Sequence, residues 1–267
     1  KFPSVEKAIA YEFGYFLQYA RKLAIINDDS LLIREQLKRA QAEVQKVTIK
    51  GLQGYKIYEN RTEFYSRDKK YSINFVVPKD ISYSIQMTFA LLDYLKIKPD
   101  YTFSKFSLAP GRCSLFKGIK NTTIIDSTYN ATPDGARIIL EMFDEYPSKN
   151  KWIVLGDMIE LGDEEINEHE KLANILNSMN VAKIILIGPR VSKYTYPKLQ
   201  KPSLQFQMPK EGRDYILENI KGGETILFKG ARFLEGIIEQ LLLNKKDIDK
   251  LVRREVAWQN RRSSFGL

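Results

Sequence analysis

From Thr122 onward the chain alternates short apolar runs with amphipathic stretches, and few folds accommodate that alternation. Apolar runs at 122–126, 152–155, 183–187 and 225–228 have the length of buried strands. Helical periodicity follows at 134–143, 165–179 and 233–243. Strands joined through helices by short connections form a mostly parallel sheet with helices packed on its faces. This half of the chain therefore predicts an α/β domain with a Rossmann-like sheet.

The first part reads differently. Residues 4–22 are helical in pattern, with Ser4 as N-cap and Ala8, Tyr11, Tyr15 and Tyr19 at helical spacing. A strand at 23–26 ends in the polar turn Asn27-Asp28-Asp29, and a helix is expected over 30–44. Strands at 47–52, 55–58, 62–65 and 71–77, broken by turn signals at Gly54 and Arg67-Asp68, predict an antiparallel meander. A helix over 81–95 precedes a proline-bearing linker at 99–111. The tail, 246–259, has the pattern of a last, charged helix. The expected organisation is a partial α/β segment with an antiparallel β meander over 1–110 and an α/β domain over 111–267.

Composition narrows the class. A 43% apolar content with 12% aromatics is that of a globular chain. The single cysteine, Cys113, excludes a disulfide framework and fits a reducing compartment. No apolar run reaches the ~18 residues of a membrane span, and no secretory signal pattern stands at Lys1. The formal net charge of +9 fits a solvated basic surface. If it marks a partner, the dispersed Lys and Arg and the lack of a basic arm favour a nucleotide or phosphorylated small molecule over nucleic acid.

Three strand ends carry the chemistry-bearing residues. Ile125-Asp126-Ser127-Thr128-Tyr129-Asn130-Ala131-Thr132-Pro133 runs from a strand into a turn and opens a helix with Thr132 as N-cap and Pro133 at the first position. A carboxylate such as Asp126 at a strand end can accept ribose hydroxyls. The same residue types also shape turns by bonding their own backbone, and spacing alone leaves both readings open. Gly156-Asp157-Met158-Ile159-Glu160-Leu161-Gly162 could bind a metal or an ammonium group, but capping the next helix is the favoured reading. Lys229-Gly230-Ala231-Arg232 precedes a helix and is favoured as an anion site. All three loops are expected on one edge of the sheet. His169, the only histidine, cannot form a histidine metal cluster and is expected at the surface or in packing. The sequence contains no G-x-x-x-x-G-K-[ST] phosphate loop, no G-x-G-x-x-G, no G-x-S-x-G and no C-x-x-C.

Taken in order, Gly111-Arg112, Asp126 to Pro133, Leu155 to Gly162, His169 and Lys229 to Arg232 resemble the successive motifs of Mur ligases, closest to the MurF type that joins D-alanyl-D-alanine to a UDP-MurNAc-tripeptide. The resemblance implies an ATP- and Mg2+-dependent amide ligase of peptidoglycan precursor synthesis, cytoplasmic and monomeric. Such an enzyme activates a peptide carboxylate as an acyl phosphate, then lets an amine attack it. It implies that Asn27 lies near adenine, Asp126 on the ribose and Arg112 on the nucleotide phosphates. Tyr129, Asn130 and Lys229 would line the pocket where the dipeptide meets the nucleotide, with Lys229 and Asn130 as the catalytic pair. UDP-MurNAc-peptide and D-Ala-D-Ala are the implied partners, with no nucleic acid and no membrane span.

By the same resemblance residues 1–110 match the end of a central ATPase domain, and the phosphate loop and UDP-sugar-binding domain would precede Lys1. The chain is then a fragment, expected to be inactive alone. It also departs from the family. Phe13 stands where the resemblance expects a metal-holding modified lysine, Tyr15 replaces a nearby glutamate, and Ile81 replaces a histidine. A phenyl ring offers magnesium no oxygen ligand, so no metal ligand is expected in this chain. The alternative is a non-catalytic relative that binds a nucleotide or a protein partner.

Overall fold

The structure, a computed structural model, describes residues 2–66 and 68–267. Lys1, and the Arg67 half of the expected Arg67-Asp68 turn, lie outside the described residues. The chain divides into two compact units, one of residues 1–56, 63–73 and 79–105, the other of 57–62, 74–78 and 106–267.

In the first unit, helix α1 (Val5–Tyr19) starts at Ser4, whose hydroxyl accepts the Lys7 amide at 3.3 Å. Strand β1 (Leu23–Asn27) follows, then a short helix α2 (Leu31–Gln36). The helix expected over 30–44 stops there, because Glu43–Val47 forms strand β2, paired in parallel with β1 from Leu23↔Glu43 to Asn27↔Val47. Gln41-Ala42-Glu43 has good helix propensity, yet pairing overrides a preference of a few tenths of a kcal/mol per residue. The strand expected at 47–52 is displaced for the same reason. Strands β3 (Leu52–Ile57), β4 (Thr62–Ser66) and β5 (Lys69–Ile73) form the antiparallel three-stranded meander, and helix α3 spans Ile81–Leu95 as expected. Phe13 on α1 is 63% exposed.

The second unit is built on a six-stranded sheet. Its strands are β6 (Ser114–Lys117), β7 (Thr123–Ser127), β8 (Lys151–Gly156), β9 (Lys183–Ile187), β10 (Ser203–Phe206) and β11 (Thr225–Lys229), in the spatial order β10-β9-β8-β11-β7-β6. Every pairing is parallel except β6 with β7. Helices α4 (Pro133–Glu145), α5 (Glu165–Ser178), α6 (Pro209–Asn219) and α7 (Leu234–Leu241) flank it, α4 beside α5 and α6 beside α7. Strand side chains alternate between the faces. Ile124, Val154, Ile185, Ile226 and Phe228 pack in one cluster with Ile216, Ile237 and Leu241 of α6 and α7. Ile125, Ile153, Leu186 and Leu227 point the opposite way and are equally buried. Burial on both faces is why these strands read as continuous apolar runs. Each such side chain contributes roughly 1.5–3 kcal/mol by leaving water.

Several elements escape the sequence pattern. The antiparallel edge β6, the edge strand β10 and helix α6 were not expected. Helix α6 carries a start signal nonetheless: Pro209 sits in its first turn and the Glu211 carboxylate accepts the Met208 amide at 3.2 Å. The tail is not one helix over 246–259. A 3₁₀ segment (Lys245–Lys250) leads into buried Leu251 and Val252, and only Val256–Ser263 is helical, as α8. Drawing Leu251 into the core, with Arg253 at φ +58°, interrupts the helical path.

The order places the carboxyl ends of β8, β11 and β7 side by side, at the point where the chain, having moved outward from β8 to β10, returns to insert β11. Ligands of open α/β sheets bind at such a switch. The loops leaving β8 and β11 approach backbone to backbone: a Cβ on Gly156 would lie 1.8 Å from the Ala231 carbonyl oxygen, and one on Gly230 would lie 2.6 Å from the Gly156 nitrogen. Gly156→Ala is therefore expected to destabilise this unit by about 3 kcal/mol, the upper range for overpacking, measured as a lowered denaturant midpoint at unchanged slope.

Candidate functional site

The turn after β7 is the centre of the site. Asp126 faces the α7 side of the sheet and is fully buried. Its Oδ1 accepts the Thr128 amide at 2.9 Å and the Thr128 hydroxyl at 2.7 Å, while its Oδ2 has no hydrogen-bond partner. Burial holds this carboxyl above the ordinary aspartate range, against the pull of the Thr128 hydrogen bonds and the positive charges of Arg253 and Arg254. The turn-shaping role open at the sequence level is thus real, and one oxygen remains free of it.

Lys229 lies on the opposite face. It pairs in register with Ser127, and both point toward α4. It is only 5% exposed, and its ammonium donates to the Asn130 carbonyl oxygen at 2.7 Å. Burial pushes its pKa down to about 8, further lowered by the Arg112 charge and opposed by Cys113 and Asp126. The Cys113 thiol is pushed up to about 12, chiefly by burial. Thr132 caps α4, accepting the Gly135 amide at 3.2 Å with Pro133 in the first turn, as the sequence implied.

Tyr129 and Asn130 are exposed at the tip of the turn. The Tyr129 amide donates to the Gly111 carbonyl at 3.2 Å. Gly111 has φ +67°, and a Cβ there would meet the Tyr129 nitrogen at 2.9 Å, so only glycine fits. The exposed guanidinium of Arg112 stacks on the Tyr129 ring, 4.3 Å from its centroid. These five residues, Arg112, Asp126, Tyr129, Asn130 and Lys229, converge. Asn27 belongs to the first unit, where its side-chain oxygen accepts the Asp29 amide at 3.0 Å. There the Asp29 carboxylate accepts the Ile49 amide at 2.6 Å and the Tyr83 hydroxyl at 2.7 Å, and these bonds hold Asp29 below the usual range.

The other two loops are internally committed. Asp157 is fully buried; its Oδ1 accepts the Arg190 and Val191 amides at 2.9 and 3.0 Å, and its Oδ2 accepts Nε and a terminal nitrogen of Arg232, both at 2.7 Å. The guanidinium it binds is the chain's own. Arg232 is thereby taken from the anion site expected at 229–232, and Lys229 holds Asn130 instead. A Cβ on Gly188 would lie 2.6 Å from the Asp157 carboxylate, which is why the carboxylate can sit there. His169 is buried in packing. Its Nδ1 lies 2.7 Å from the Glu165 carbonyl, which can only accept, so Nδ1 carries the hydrogen and Nε2 accepts the Met158 amide at 3.4 Å. Among the described residues no three His, Cys, Asp or Glu side chains group as a metal site.

The C-terminal tail supplies the residue that periodicity could not disclose. Arg253 donates to the Thr128 and Tyr129 carbonyls at 3.2 and 2.8 Å and pairs with the fully buried Glu235 at 3.4 Å. Nothing local in the sequence links positions so far apart.

Comparison with known proteins follows the same outline. Residues 111–232 match the family described as Mur ligase, glutamate ligase domain. A UDP-N-acetylmuramoyl-tripeptide–D-alanyl-D-alanine ligase of Rickettsia prowazekii is 30% identical over 128 residues, covering 47% of this chain and 28% of that protein. A ligase of the same name from Buchnera aphidicola is 32% identical over 131 residues, with the same coverage. Among solved structures, the MurF ligase of Thermotoga maritima in complex with ADP aligns with a TM-score of 0.70 at 22% identity, over 87% of this chain and 55% of that one. The chain thus spans less than a third of these two relatives' length in sequence matches and about half of the solved structure.

Two outcomes test the electrostatics. Replacing Asp157 by Asn is expected to cost about 3 kcal/mol, because the guanidinium and amides keep a neutral partner only, measured by chemical denaturation. Lys229, protonated in both states below pH 8, is disfavoured in the folded state there. Between its folded pKa of about 8 and the ordinary lysine value of 10.5 the unfolded chain binds more protons, so stability rises with pH. Relative to Lys229→Met, the native chain should gain roughly 3 kcal/mol across that window, at about 1.4 kcal/mol per pK unit; a flat difference refutes the buried charge.

Proposed function

We propose that this chain, whose residues 111–232 match the Mur ligase family, acts in an ATP-dependent amide-bond ligase of MurF type, as the part that meets the nucleoside and the incoming amine. The chemistry joins the amine of D-Ala-D-Ala to the terminal carboxylate of a UDP-MurNAc-peptide. The terminal phosphoryl group passes to the carboxylate, the amine attacks the acyl phosphate carbonyl, and phosphate leaves as the amide forms. We place the work in the cytoplasm. Residues 1–110 correspond to the end of the central ATPase domain and 111–267 to the carboxy-terminal domain.

One observation carries the nucleoside assignment. Asp126, at the switch point of the sheet, keeps a buried carboxylate oxygen without a partner. A buried acceptor left unpaired costs on the order of 1–3 kcal/mol, which a donated ribose hydroxyl would recover. Around it, Arg112 stacks on Tyr129 and offers its guanidinium to phosphate oxygens, which it can bind in fork geometry. Lys229 holds the Asn130 carbonyl ahead of α4, and in this reading its positive charge serves to neutralise the reacting groups. Phosphoryl and acyl transfer draw mainly on such positioning and neutralisation. The residues present do not fit a magnesium site: Phe13 and Tyr15 occupy the expected ligand positions, and no ligand cluster is assembled among the described residues. Asn27 is assigned to the adenine by resemblance alone.

The second reading, a relative that binds a nucleotide without turnover, rests on those same Phe13, Tyr15 and Ile81 positions. ADP titration by calorimetry, with Asp126→Ala beside the native chain, tests the site. The expected result is binding weakened at least tenfold by Asp126→Ala; equal affinities remove Asp126 from the nucleoside site. An assay with UDP-MurNAc-tripeptide, D-Ala-D-Ala, ATP and magnesium, on a protein carrying a phosphate-loop segment as well as this chain, separates the readings. Phosphate release dependent on both substrates supports the ligase, and nucleotide binding without release supports the relative.

A further inference from the structure

The turn at 128–130 is gripped from three separate segments. Gly111 accepts the Tyr129 amide, Lys229 donates to the Asn130 carbonyl, and Arg253 donates to the carbonyls of both Thr128 and Tyr129. Successive carbonyls in a strand point in opposite directions. Two of them converging on one guanidinium means that the backbone leaves the strand path here and that Arg253 holds the departure. The planar fork of arginine suits two acceptors side by side.

The arrangement is costly on its own. Arg253 has φ +58°, a left-handed conformation unfavourable for any residue bearing a Cβ. Its counter-charge Glu235 is fully buried, with Oε1 lacking a partner, and burial holds that carboxyl above the usual range. Strain and an incompletely satisfied buried charge at one place point to a constraint that the surrounding fold enforces. The tail is fastened accordingly. Arg254 and Arg262 both pair with Glu239, one turn beyond Glu235 on α7, and the Arg253 guanidinium lies 5.6 Å from the Trp258 ring. Arg253 lies beyond residues 111–232, the part matched to the family.

We infer that Arg253, neutralised by Glu235, is a positioning residue: it sets the turn Thr128–Asn130 so that Asp126 and Tyr129 meet the ligand of this site, which rests on the nucleotide reading above. Arg253 itself does not touch the reacting groups. It acts through the backbone, locking the tail segment 252–262 to the strand-end turn.

The test combines amide hydrogen exchange with ADP calorimetry on the native chain, Arg253→Met, Arg253→Lys and Glu235→Gln. Arg253→Met is expected to speed exchange of the Tyr129 amide at least tenfold, leave β8, β9 and β11 amides protected, and weaken ADP binding at least tenfold. Arg253→Lys, which keeps the charge but not the fork, should restore part of the affinity, and millimolar guanidinium should restore part of it in Arg253→Met. Glu235→Gln should shift both readouts the same way by a smaller factor. Native exchange at Tyr129 in Arg253→Met overturns the inference, as does an even loss of protection across the sheet, which marks general destabilisation. Faster exchange confined to the turn, with no ADP bound by the native chain, supports the positioning role and overturns the nucleotide reading instead.

Discussion

The site depends on a contact between two glycines. Gly156 ends β8 and Gly230 follows β11, the adjacent parallel strand; a methyl group on Gly230 would strike the Gly156 backbone, and one on Gly156 would strike the Ala231 carbonyl. Because the backbones touch, the loops leaving β8 and β11 come close enough for Asp157 to receive Arg232 and for Ala231 to donate its amide to the Asp157 carbonyl at 3.0 Å. That buried carboxylate also terminates the amides of Arg190 and Val191 beyond β9. Three strand ends are thereby fixed relative to one another before any ligand is considered. Such preorganisation is what lets a polar site act on developing charge without rearranging.

Strand alternation then distributes the charges. Asp126 and Lys229 stand on neighbouring strands one register step apart, so they project to opposite faces of the sheet. Asp126 looks toward α7 and the arginines of the tail; Lys229 looks toward the start of α4. A direct ion pair between them would have neutralised both. Their separation leaves Asp126 with a free acceptor and Lys229 with a depressed pKa, two unfavourable features in one small region. Perturbed titratable groups gathered at the carboxyl ends of neighbouring strands mark this region as the candidate site. The turn between them is the element that both segments, and the tail, hold in place.

Much of this was legible in the chain itself. The parallel sheet follows from apolar runs such as 183–187, since a strand buried on both faces has no polar alternation. The Thr132-Pro133 helix start and the Ser4 cap are local hydrogen-bond chemistry, and both are present in the structure. The strand-end cluster was visible because Asp, Tyr and Asn stand where an α/β sheet presents its ligand edge. The helix expected over 30–44 failed because β2 pairs with β1, a partner some twenty residues away that outweighs local propensity. The single helix expected over 246–259 failed because Leu251 is claimed by the core.

The sequence by itself determined the class of fold, the strand-end location of the polar residues and the family motifs they form, because each is written in periodicity or in contiguous residue types. Only the tertiary structure decided what those residues do with one another. It gave Arg232 to Asp157 rather than to an anion, placed His169 in packing, and set Lys229 on a backbone carbonyl. It also brought Arg253 to a turn more than a hundred residues away in sequence. Hydrogen bonds and ion pairs depend on distances of a few ångströms, and those distances are fixed by packing between segments that no local pattern connects.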